Sequence, residues 1–119
     1  MPRQQQHLQQ ARHNEALYHH LATVAPLYID WQVTALFYAA LHYVDAYLSK
    51  HNVHPASHSD RDQLIAMESV LRRIYTPYRD LESRSRDARY ELYNIASGYE
   101  QTLYRAQYTT IRDYLTPLI

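Results

Sequence analysis

The chain has 119 residues, the length of one domain, with 46% hydrophobic residues and a formal net charge of zero. A single Gly argues against a turn-rich β fold and against Gly-rich phosphate loops, and the absence of Cys excludes disulfides, thiolate catalysis and Cys-ligated zinc. Zero net charge weakens the case for bulk electrostatic binding of nucleic acid but leaves room for a local basic patch.

Two biases qualify that picture. Lys50 is the sole Lys, so the basic groups are almost all Arg, whose planar fork suits carboxylates and phosphates. Thirteen Tyr stand against one Phe, which points to Tyr as core filler that keeps its hydroxyl wet or paired. No run of about 18 apolar residues is present, so no membrane span is expected. The polar start, Met1 to His7, lacks the apolar centre of a signal peptide, and the Cys-free composition fits the cytoplasm.

The predicted elements are helices throughout, forming an all-α, up-and-down bundle of four to five helices in one domain spanning 1–119. The first runs from Gln4 to Leu21, with a Gln-rich start over residues 1–10 that frays. Pro26 interrupts the chain, and Asp30 is the expected N-cap of a second helix reaching His51. Its apolar stripe is Trp31, Leu36, Phe37, Ala40, Leu41, Val44, Tyr47 and Leu48, and beside it runs a polar line of Tyr38, His42 and Asp45. Asn52 to His58 is a loop. Ser59, with Asp62 three residues on, is the expected cap of a third helix with Leu64, Ile65, Met67, Val70, Leu71 and Ile74 inward. Thr76-Pro77 stops or kinks that helix, and Pro77 also suits the first turn of a new one. Ser83 or Ser85 would then cap a fourth helix carrying Ala88, Tyr90, Leu92, Tyr93 and Ile95. Ser97-Gly98 is the expected break before a last helix from Tyr99 to Leu115.

Four clusters could carry chemistry. Tyr38, His42 and Asp45 form either a seam facing a cleft or a solvent-touching boundary. The loop from His54 to Arg61 reads as a phosphate site at a helix start or as a polar loop with a cap. Arg86 and Arg89 share a helix face next to Tyr90, suited to holding a phosphate and stacking a base, or to surface ion pairs with Asp87, Glu82 or Glu91. His42, Asp45, His51, His54 and His58 are metal-ligand types, but no His-Glu-x-x-His or Glu-x-x-His spacing is present, and no metal or other cofactor is expected. Asp45 also has a structural reading, paired with Arg86 or Arg89 inside the bundle.

The segments Leu36 to Leu48, Ser57 to Arg61, Tyr78 to Leu81 and Ser83 to Tyr90 together resemble the HEPN superfamily. There a Tyr- and Ala-rich helix is followed by a loop with Pro and His, and a later helix carries Arg and Tyr. The resemblance implies a helical bundle that pairs into a homodimer and a role around RNA. Many HEPN domains are metal-independent ribonucleases of toxin–antitoxin, phage-defence or CRISPR systems; others bind nucleotides or act as inactive scaffolds. Catalytic members carry a late Arg separated by four to six residues from a following His. This chain departs from that pattern, because no His follows His58. Arg12 and His19 match the spacing, but in the first helix.

The expectation is therefore a ligand-binding face made of His42, Asp45, His58, Arg61, Arg86, Arg89 and Tyr90, taking RNA or a nucleotide. No residue is assigned a catalytic role. If RNA is cut, His42 or His58 supplies the imidazole. The alternative is a non-catalytic protein–protein interaction module within a larger complex.

Overall fold

A computed structural model of the chain describes residues 2–90 and 98–119. Among the described residues the structure is an all-α bundle of five helices: α1 (Gln4–Val24), α2 (Ile29–Lys50), α3 (His58–Met67), α4 (Tyr75–Tyr90) and α5 (Gly98–Leu115). Short 3₁₀ turns precede α4 and follow α5. None of these helices is long and apolar enough to cross a membrane.

The second helix is the axis of the fold and packs against α1, α4 and α5. Its small residues Ala35, Ala39, Ala40 and Ala46 are buried, and they let the neighbouring backbones approach closely. Phe37, Leu36, Val33 and Val44 fill the space between, with Ile65, Leu71, Ile74, Leu81, Ile111 and Leu115 from the surrounding elements. Tyr43, Tyr47, Tyr78, Tyr104 and Tyr108 are core residues, as the Tyr-for-Phe bias implies. Most of the Gln-rich start is helical from Gln4 rather than frayed, because His7 and Leu8 are buried against the bundle.

Helix boundaries follow local chemistry. At the end of α2 the Val53 N–H donates to the Leu48 carbonyl at 2.9 Å and the Asn52 N–H to the Ser49 carbonyl at 3.0 Å. This is a Schellman closure. It needs a left-handed residue, and Asn52 supplies it at φ 58°. Val53 then packs on the core and fixes where the loop with His54 begins.

Several expected boundaries and inward positions are corrected. The cap of α3 is Ser57, whose hydroxyl accepts from the Asp60 N–H at 3.1 Å, and not Ser59. Asp30 lies in the first turn of α2 rather than at its N-cap, where Tyr28 stands. The third helix ends at Met67, which is exposed, and Glu68 turns the chain by accepting from the Leu71 N–H at 2.7 Å. The fourth helix starts at Tyr75, not at Ser83 or Ser85, with Pro77 in its first turn where a missing N–H costs nothing. Ser85 is instead fully buried mid-helix. Trp31 is exposed rather than inward. The inward positions expected at Leu92, Tyr93 and Ile95, and the break at Ser97, lie outside the described residues.

Candidate functional site

A cleft of about 560 Å³ opens where α2, α3 and α4 meet. Tyr38 from α2 forms its aromatic wall, with the buried Phe37 ring packed edge-on against it. His58, Ser59 and Asp62 come from the first turns of α3, and Arg79, Glu82, Arg86 and Arg89 from successive turns of α4. Residues 79, 82, 86 and 89 share a helix face because their spacing follows the 3.6-residue turn.

The Arg89 guanidinium carbon stands 5.2 Å from the Tyr38 ring centre and 5.9 Å from that of Phe37, within cation–π range. An Nη1 group of Arg89 also donates to the hydroxyl of Ser85. Arg79 bridges the carboxylates of Asp62 and Glu82 and so ties α3 to α4. Arg86 is exposed and without an ion pair among the described residues. His58 stands against the Phe37 and Tyr38 rings, with Nδ1 3.9 Å from a Glu82 oxygen.

The electrostatics follow from this crowding. Burial, then the neighbouring Asp62 carboxylate, pushes Glu82 up to about 7, with Arg79 opposing. Burial, then Arg61 and Arg89, holds His58 below the usual imidazole range, so it is mostly neutral at pH 7. The cleft thus holds a carboxyl able to give a proton near neutrality beside an imidazole able to take one.

Of the seven residues expected from sequence to bind a ligand, His58, Arg86 and Arg89 line this cleft. Asp45 and Arg61 lie behind it as a buried fork-to-fork ion pair, with Nε to Oδ1 at 2.7 Å and Nη2 to Oδ2 at 3.0 Å. Neither side chain lines the cleft, and Asp45 pairs with Arg61 rather than with Arg86 or Arg89. His42 does not line the cleft either; its Nδ1 lies 3.1 Å from Nδ1 of His7 on α1. Tyr90 ends α4, and its side chain is outside the described residues.

Sequence reasoning missed Arg79, Asp62 and Glu82 as cleft residues. The i, i+3 spacing of Arg79 and Glu82 was the available signal, but it was hidden by starting the helix at Ser83. It also missed His7, which no local pattern marks. Among the described residues one group of metal-ligand types converges: His7, His42 and Asp45 each offer a donor atom, all within 4.8 Å of one another. His51 and His58 are not in it; His51 stacks on Tyr47 and His58 faces the cleft.

No family model, curated protein or solved structure matches the chain.

Proposed function

We propose that this chain is a HEPN-like bundle that binds a phosphate-bearing ligand, a nucleotide or RNA, in the cleft between α2, α3 and α4. The observation that carries the reading is the placement of Arg86 and Arg89 on a cleft walled by Tyr38, where Arg79 is already tied to Asp62 and Glu82. Guanidinium forks recognise phosphate oxygens, and an aromatic wall offers a stacking platform for a base. Arg86 supports it further: it is exposed and has no ion pair among the described residues, so its guanidinium is open to an anion there. On the same reading the protein acts in the cytoplasm as a homodimer, in a phage-defence or toxin–antitoxin setting; this rests on the HEPN resemblance.

Proton transfer is the chemistry this cleft is best equipped for beyond binding. If RNA is cleaved, the imidazole that acts is His58, since it stands among Arg86, Arg89 and Glu82 and His42 does not. His58→Ala then abolishes cleavage while His42→Ala leaves it.

A second reading has its own observation. Leu17, Val24, Leu27, Tyr28 and Trp31 are large apolar residues left exposed around the α1–α2 turn. Such a patch supports a protein-interaction module. Light scattering with the 260/280 absorbance ratio, on protein purified at low salt, separates the two. A dimer carrying nucleic acid that salt removes is expected. Protein free of nucleic acid favours the interaction module instead.

A further inference from the structure

We infer that His7, His42 and Asp45 form a binding site for a late first-row divalent metal ion, zinc first among them. The argument is geometric. Two imidazole nitrogens bound to one zinc at about 2.0–2.1 Å stand roughly 3.3 Å apart in a tetrahedral arrangement. The Nδ1 atoms of His7 and His42 are 3.1 Å apart and face each other. A carboxylate oxygen of Asp45 completes a set in which all donors lie within 4.8 Å. Two nitrogens and one oxygen make a donor set of borderline softness, which suits zinc and its neighbours better than magnesium or calcium.

The fold holds these donors firmly. His42 and Asp45 are three residues apart on one face of α2, the most buried helix, and His7 is delivered by the first turns of α1. Asp45 is oriented by Arg61, which donates one hydrogen bond to each carboxylate oxygen. Each oxygen keeps a lone pair, so the carboxylate can ligate a metal while Arg61 fixes its plane, as outer partners of metal ligands commonly do. His54 supplies a further donor type close by. It lines a cavity of about 220 Å³ together with His7 and Asp45, at the start of the loop positioned by the Asn52 turn. The donors are sheltered as a set, with His7 and Asp45 buried and His42 half-buried. This reverses the expectation from sequence, where the decisive ligand, His7, carries no spacing signal to His42. The site is separate from the arginine cleft and stands whether or not that cleft binds phosphate.

Chelator-treated full-length protein is titrated with Zn2+, and separately with Co2+, whose visible bands become intense in sites of low coordination number. Saturable binding of one metal per chain is expected, with affinity lowered about tenfold or more in both His7→Gln and His42→Gln and unchanged in His19→Gln. Because a variant at a buried His can fail to fold, histidine imidazole NMR signals of the unmodified protein are followed during the Zn2+ titration. Early shifts at His7 and His42 support the site. Early shifts confined to other histidines, unchanged affinity in either Gln variant, or no saturable binding at micromolar Zn2+ overturns it.

Discussion

Asp45 and Arg61 show how much depends on a single pair in this bundle. Both side chains are buried, and their two parallel hydrogen bonds leave neither charge unsatisfied. Removing one partner leaves the other charge stranded in a medium that cannot solvate it. Asp45→Ala is therefore expected to destabilise the fold by about 3–5 kcal/mol, measured by urea denaturation. Glu82 gives a second test at this scale. Its carboxyl holds a proton up to about 7 in the folded chain against an ordinary value of 4.5. Between those limits the folded state binds more protons than the unfolded one. The stability it contributes is thus fully present below about 4.5 and is lost as pH rises through 7, by at most about 3 kcal/mol. Glu82→Gln should flatten the dependence of stability on pH across that window. An unchanged profile would show that Glu82 does not titrate there. Tyr78 is the reverse case. Its hydroxyl is buried with no hydrogen-bond partner among the described residues, so Tyr78→Phe is expected to leave stability unchanged or raise it by about 1 kcal/mol.

Among the elements, α2 and α4 were legible to different degrees, and the reasons are physical. The second helix was readable because Leu36, Phe37, Ala40, Leu41, Val44 and Leu48 recur at helical spacing. Its all-round burial was less so, since three helices cover it and the polar Gln32, Thr34 and Asp45 are also inside. The fourth helix was misjudged at its start because Ser83 and Ser85 look like caps, and only tertiary packing decides that Ser85 is core. That error removed Arg79 and Glu82 from the expected site, although Arg86 and Arg89 were found from their i, i+3 spacing. The third helix tests whether its cap is as assigned. Ser57→Ala is expected to cost about 1 kcal/mol through loss of the bond to the Asp60 N–H, while Ser59→Ala should cost little. Because α3 carries His58, Ser59 and Asp62 into the cleft, a frayed start would also loosen the cleft.

At the scale of the whole molecule, two surfaces stand out. The arginine cleft lies between α2, α3 and α4, while the exposed Leu27, Tyr28 and Trp31 gather at the α1–α2 turn. If that apolar end joins two copies of the chain, Leu27→Lys should yield a folded monomer by light scattering without weakening the cleft for a mononucleotide. The zero net charge means that any affinity for RNA must come from the local cluster, so few phosphates are contacted and the salt dependence is shallow. The most direct measurement is the affinity of the protein for a short fluorescent single-stranded oligoribonucleotide over a range of salt concentrations, repeated with Arg86→Ala. Arg86 is exposed, so its removal should leave the fold intact. Binding that weakens linearly in log–log form, with a slope reduced by about 0.7 in Arg86→Ala, is the expected result. Absence of binding at low salt, or an identical slope in the variant, would contradict a phosphate-binding cleft at this position.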